Sequence, residues 1–260
     1  MSIPPNGSGK VAVVMGGTSG IGLATARLLV DMGARVTIAG RDAERGARAN
    51  QQLGERAHYA RMDVARADQV AAAIDDTVQR WGRLDWAVNA AALSDTPFAR
   101  IADITEEDWD RTLAVDLKGV WLAMKYELAA MLGTGGGSIV NVSSVNGLSA
   151  TPQAGAYCVA KHGLHGLTKT AAVEYAAQGI RINVVCPGAH LTPMLEVVFN
   201  RLSPGAPDKA AAMYCARIPM NRIGDPAECA QAIAWLLSDA ASYVTGAVLT
   251  VDGGIALGVA

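Results

Sequence analysis

Short apolar runs alternate with longer amphipathic segments from residue 11 almost to the end of the chain. VAVVM (11–15) is apolar on both faces, as a strand buried on both sides requires. A glycine-rich turn follows, and then a helical period over about 21–32 that places Leu23, Leu28 and Leu29 toward a core, with Gly33 as its stop. The alternation repeats. Strands are predicted at 35–40, 57–63, 84–92, 138–142, 180–188 and 247–254, and helices at 42–53, 66–81, 105–132, 153–177 and 226–237. Strands of this length separated by helices imply βαβ crossovers and a parallel sheet covered on both faces. The fold class expected is α/β: a single-domain, Rossmann-like, doubly wound sheet of about seven strands spanning 1–260. Residues 1–9 are expected to be a loose tail. The proline-rich stretch at about 188–225 is expected to be irregular and to form a substrate lid.

Composition narrows the function classes. Hydrophobic residues make up 51% and charged residues 18%, with a net charge of −2 and no Lys/Arg cluster, so nothing favours nucleic acid. Cys158, Cys186, Cys215 and Cys229 lack metal-ligand spacing and are expected to be ordinary thiols, with no metal bound. MSIPPNGSGK has no signal-peptide h-region and no apolar run reaches membrane-spanning length, so a soluble, cytoplasmic protein without membrane partners is expected.

Two patterns carry chemistry. MGGTSGIG (15–22) joins the first strand to the first helix, and Gly16, Gly20 and Gly22 let a ligand approach the backbone where the helix presents free N–H groups. A pyrophosphate is the natural occupant; a plain tight turn is the structural alternative. In GAYCVAKHGL (155–164), Tyr157 and Lys161 stand at i and i+4 on one helix face. A phenol has a pKa near 10, and bringing it to about 7 takes roughly 4 kcal/mol at about 1.36 kcal/mol per unit. An ammonium about 4 Å away supplies roughly 4 kcal/mol at an effective dielectric near 20.

With Gly16-x3-Gly20-Ile21-Gly22 and Tyr157-x3-Lys161 in place, the other landmarks follow in order. They are Asp63-Val64, NAAA (89–92), GSIVNVSS (137–144), PGAHLTPM (187–194) and VTGAVLTVDGG (244–254). Over about residues 8–254 the chain resembles the short-chain dehydrogenase/reductase family. The resemblance implies an NAD(P)-dependent oxidoreductase that interconverts a ketone or aldehyde and an alcohol. Tyr157 would be the acid/base, Lys161 its partner and ribose anchor, and Ser144 the donor to the substrate oxygen. By the same resemblance, the cofactor would lie on Gly16, Thr18, Ser19, Gly20, Ile21, Gly22, Asn89, Pro187 and Gly188. Asp63 would take the adenine amino group and Val64 a backbone contact, while His190 (backbone) and Thr192 would hold the nicotinamide amide.

Gly40 stands where NAD-preferring relatives carry an acid, and Arg41 follows it, which favours NADP(H) over NAD(H), with Asp42 close by. The pattern breaks at Asp116, where relatives carry an asparagine that helps hold a water on the path to the lysine. Asp116 is expected to order that water and, ionised at about 8 Å, to oppose the lysine by roughly 2 kcal/mol. Ala92, where relatives carry glycine, adds a methyl near the ribose. Asn146, Gln153 and Met194, with the apolar lid, would contact an apolar carbonyl or alcohol substrate. His58, His162 and His165 are expected to have structural or surface roles. The helices at 105–132 and 153–177 would pair subunits in a homotetramer, otherwise a dimer. The alternatives are an NAD-preferring alcohol dehydrogenase of the same family and a cofactor-binding regulator without turnover.

Overall fold

A parallel strand buried on both faces sends alternate side chains into two separate cores, and the first strand does so from residue 12 to 15. The computed structural model describes residues 6–96 and 98–258. In β1 (Val11–Met15), Val13 and Met15 enter the core beneath α3 (Ala67–Trp81), α5 (Gly119–Thr134) and α6 (Gly155–Tyr175). Ala12 and Val14 enter the opposite core, under α1 (Gly20–Asp31), α2 (Ala43–Leu53) and α9 (Pro226–Leu237). The other strands are β2 (Arg35–Gly40), β3 (Ala57–Arg61), β4 (Trp86–Asn89), β5 (Gly137–Val142), β6 (Ile180–Pro187) and β7 (Val248–Val251). They form one parallel sheet in the order β3-β2-β1-β4-β5-β6-β7. The order reverses direction between β1 and β4, and the crevice at such a switch point, beyond the strands' carboxyl ends, is where α/β sheets bind ligands.

Three expectations change. Residues 6–9 are not loose: Gly7 is buried and its N–H donates to Met32 O at 3.0 Å, while 1–5 lie outside the described residues. The predicted helix 105–132 begins as α4 (Glu106–Leu113) and reaches α5 through a wide π turn, Ala114–Lys118. Residues 188–225 are largely helical, in α7 (Pro193–Leu202) and α8 (Pro207–Arg217). Pro193 and Pro207 each open a helix, where a missing N–H costs nothing. Phe199 and Tyr214 pack edge to face at 5.3 Å and join the two.

A polar chain crosses the first core. Asn89 Nδ2 donates to Glu127 Oε2 (3.0 Å) and Asn141 Oδ1 (2.9 Å), and Asn141 Nδ2 donates to Thr168 Oγ1 (2.8 Å). The Asn89 side chain is therefore committed to the interior of the sheet–helix layer, away from the cofactor role implied by its motif. Glu127 is fully buried, and burial pushes its carboxyl up to about 8 against the pull of the Asn89 amide. Its ordinary value is 4.5, so between 4.5 and about 8 the folded protein holds a proton that the unfolded chain has released. Stability is lost as pH rises through that window, by roughly 5 kcal/mol at most at about 1.36 kcal/mol per unit. Glu127→Gln keeps the shape and removes the titration. Its melting temperature is expected to exceed the native protein's by several degrees at pH 8, at roughly 2–4 °C per kcal/mol, and to converge with it toward pH 5. A difference independent of pH would contradict the assignment.

Candidate active site

The glycine turn is shaped by close approach. Gly16 has φ +75°, and a Cβ there would stand 2.6 Å from Ala91 N; a Cβ on Gly22 would run into Gly16 O. Ser19 precedes α1 with extended backbone and its side chain makes no capping bond. The first bond into the helix ladder runs from Leu23 N–H to Ser19 O, so the amides of Gly20, Ile21 and Gly22 precede it. These donors, with the positive end of α1, suit an anion. Thr18 is buried against Gly40, where a Cβ would come within 3.0 Å of its methyl.

At the end of β2, Arg41 is exposed, while Asp42 is engaged elsewhere. The Asp42 carboxylate caps α2 by accepting from Arg45 N (2.9 Å) and pairs with the Arg45 guanidinium (3.0 Å). These two bonds hold its pKa below the usual carboxylate range. Arg61, which the sequence did not single out, donates from Nε to Arg41 O at 3.3 Å and brings a second guanidinium to this corner. Asp63 Oδ1 accepts from Ala65 N at 3.0 Å, and Val64 is buried against Gly119.

Past β6, Gly188 N–H donates to Val251 O at 3.0 Å, and a Cβ there would press on Asp252. His190 forms a parallel bridge with Gly224, in which Leu191 N–H and Ala189 O make the bonds. The backbone N–H and C=O of His190 itself point to the other side. Its ring is buried, and burial pushes its pKa down; it lines a cavity of about 330 Å³ with Arg222, Glu228 and Asp252. Thr192 caps α7 through Leu195 N–H (3.3 Å), and its methyl is the nearest neighbour of a Cβ built on Gly20, at 3.2 Å.

Between these walls Ser144, Tyr157, Lys161 and Asp116 converge. Ser144 Oγ accepts from Asn146 N–H at 3.1 Å and lies near enough to Tyr157 to pull its phenol's pKa down. Lys161 Nζ stands 5.3 Å from the centre of the Tyr157 ring. It forms an ion pair with Asp116 Oδ1 at 3.1 Å and donates to Val142 O at 3.4 Å, with Lys161 1% and Asp116 0% exposed. The other Asp116 oxygen accepts from Leu93 N–H at 3.2 Å. Asp116 thus meets the lysine directly, where a water-mediated contact was expected.

The electrostatics follow from that contact. Burial works to lower the pKa of Lys161, but the Asp116 carboxylate and Tyr157 together hold it above the ordinary amine value. Burial pushes the Asp116 carboxyl up against the pull of Lys161, which keeps the proton of the pair. Burial raises the Tyr157 phenol, Lys161 lowers it and Asp116 raises it again, leaving it above 10. Tyr157 is only half-buried, so solvent weakens the first of these effects. The sequence reading placed that acid about 8 Å from the lysine and left out the burial of the phenol; the carboxylate meets the lysine at 3.1 Å.

The chain matches the family model described as Enoyl-(Acyl carrier protein) reductase over residues 16–256. It is 44% identical to a cis-4-hydroxycyclohexanecarboxylate dehydrogenase of Sinomonas cyclohexanicum, covering 94% of this chain and 96% of that protein. It is 41% identical to a 2,5-dichloro-2,5-cyclohexadiene-1,4-diol dehydrogenase of Sphingobium indicum, covering 95% and 97%. The crystal structure of levodione reductase superposes with a TM-score of 0.93 at 34% identity, over 96% of this chain and 98% of that one.

The chain belongs to the short-chain dehydrogenase/reductase family. It is an NAD(P)-dependent oxidoreductase. The residues present fit that cofactor: α1 offers uncapped amides at the glycine turn, and the outward backbone of His190 adjoins Thr192. Among the described residues no helix is long and apolar enough to cross a membrane.

The residues expected to contact substrate lie on three separate segments of this short-chain dehydrogenase. Asn146 Oδ1 accepts from Thr151 Oγ1 at 2.9 Å, and Met194 is half-buried in the first turn of α7. Gln153 is exposed, with φ +65°, and its C=O accepts from Ala99 N–H. The far end of α7 is tied down by Arg201, which donates to Thr96 O (2.6 Å) and stacks 5.7 Å from the Phe98 ring centre. No local pattern flags Arg201, because its partners are a hundred residues away in sequence. The Asp116 contact makes a prediction. Asp116→Asn removes a cause that raises the Tyr157 pKa, so the pH at which kcat for alcohol oxidation rises is expected to fall by about one unit. Superimposable pH–rate curves would refute it.

Proposed function

We propose that this enzyme interconverts a secondary alcohol on a six-membered carbon ring and the corresponding ketone, using NADP(H). The observation that carries the chemistry is the convergence of Ser144, Tyr157 and Lys161 at the carboxyl ends of β5 and β6. Relatives named for cyclohexane and cyclohexadiene alcohols, and the apolar side chains of Met194, Leu195 and Val198 on α7, support a ring substrate. The bound cofactor supplies or accepts the hydride. Tyr157 Oη gives the proton to the carbonyl oxygen in reduction and takes it back in oxidation. Ser144 Oγ donates to that oxygen as it gains negative charge. Lys161 stabilises the phenolate and, on its free donor side, would hold the ribose.

With the phenol above its ordinary value, Tyr157 carries its proton at neutral pH, the form that reduction needs. Ketone reduction is therefore favoured at neutral pH and alcohol oxidation at alkaline pH. NADP(H) is preferred because Arg41 is exposed, Arg61 adds a second cation, and Asp42 is occupied by Arg45 and the end of α2. The exposed Trp121 of α5 and Val159 and Val173 of α6 suit a subunit contact, of tetramer or dimer, which a monomeric mass in solution would exclude.

A panel of cyclic and open-chain ketones and secondary alcohols, assayed with both cofactors, tests the proposal. Cyclohexanone-type substrates are expected to turn over fastest, and Tyr157→Phe is expected to lose at least about a hundredfold in kcat, the scale of general acid–base catalysis. Equal rates for the Phe variant would sink it. Arg41→Ala is expected to weaken NADPH by about tenfold relative to NADH, as one lost charge-assisted contact does; an unchanged ratio would remove the cofactor assignment.

A further inference from the structure

One buried side chain outside the groups above touches both strand ends that frame the site. His165 lies on α6 one turn beyond Lys161 and is 9% exposed. Its Nε2 stands 2.9 Å from Ser143 Oγ, next to Ser144, and 3.4 Å from Cys186 Sγ in β6. Ser143 Oγ in turn donates to the Lys161 carbonyl at 3.2 Å. A serine hydroxyl carries one hydrogen. With that hydrogen directed at Lys161, Ser143 meets His165 as an acceptor, which places a hydrogen on Nε2. Burial, followed by the charges of His162, Lys169 and Lys161, pushes the His165 pKa down, so the ring is the neutral Nε2–H tautomer. The short turn Val145–Gly147 closes over this contact: a Cβ on Gly147 would stand 2.8 Å from both His165 Nε2 and Ser143 Oγ.

We propose that His165 is a positioning residue: acting through Ser143, it fixes the separation between the strand end that carries Ser144 and the helix turn that carries Lys161. The inference rests on the roles proposed for those two residues. The chain Nε2–H to Ser143 Oγ–H to Lys161 C=O is directional, so cutting its first link frees the Ser143 hydroxyl to turn. A displacement of about 1 Å at a reacting centre can cost as much as 10²-fold in rate. The substrate's ring would be bound elsewhere, by α7 and the loop after β4, so the loss falls on kcat and not on KM.

The test combines His165→Leu, His165→Gln, Ser143→Ala and the His165→Leu/Ser143→Ala double variant, with Ser144→Ala as a control. The assay uses the ring alcohol from the panel that turns over fastest. His165→Leu and Ser143→Ala are each expected to lower kcat about tenfold with KM within about twofold, and the double variant to be no slower than the slower single, as for residues that act as one unit. Gln, which retains a side-chain N–H donor, restores most of the rate. Multiplying effects in the double variant, or Gln no better than Leu, would overturn the inference. Should the Leu variant fail to fold, nitrogen NMR of the native imidazole decides: Nε2 protonated at neutral pH supports the chain, and an Nδ1–H tautomer removes it. Full activity in Ser144→Ala would instead mark a failure of the site reading, and the NMR arm would then judge the contact by itself.

Discussion

An ammonium taken wholly out of water loses several kcal/mol of solvation unless charge and hydrogen bonds replace it. Lys161 is such a group, and much of the site follows from how it is compensated. Asp116 has to face it, Val142 has to turn a carbonyl to it, and α6 has to hold it against the end of β5. Asp116 reaches that place from the π turn Ala114–Lys118, a widened turn of the kind that gathers at functional sites. Its second oxygen takes the Leu93 amide, so the loop after β4 is drawn into the same cluster. Removing any one of these partners leaves a buried charge short of compensation, which is why the cluster is held together as a unit.

The compensation works against the lysine's effect on the phenol. An uncharged partner at position 116 would let Lys161 act on Tyr157 with its full field; a carboxylate at 3.1 Å cancels part of it. Lys161 is thereby kept charged in a dry site, while Tyr157 is left more basic. Burial is the first cause of the raised phenol, and the way the lysine is stabilised adds to it.

Much of this was legible in the sequence where the cause is local. The helix predicted at 226–237 is α9, whose start is fixed locally by a capping box of Asp225 and Glu228 with Pro226 in the first turn. The strands declared themselves by runs such as VAVVM, and the Tyr157–Lys161 pair by its spacing. The misreadings have equally physical origins. Prolines at 193 and 207 look like breakers until their position at a helix start is known. A motif places Asn89 at a strand end but not on which face its side chain lies, and a one-residue change of face separates cofactor from core. Arg61, Glu127 and Arg201 escaped notice because each acts on a partner from another part of the chain.

Two buried acids a helix apart show how a single environment yields opposite states. Asp116 and Glu127 are both fully shielded from solvent and both pushed up by burial. Asp116 faces an ammonium and the Leu93 amide, so its ionised form is stabilised at the point where charge is needed. Glu127 faces only the Asn89 amide, which cannot offset the loss of water, and at neutral pH it is mainly the neutral acid. Neutral, it carries a hydrogen, and Glu127 Oε1 and Asn89 Oδ1 are both buried oxygens without a donor when the acid is ionised. The segment at the end of β4 thus rests on a neutral acid while the segment at the end of β5 rests on an ion pair.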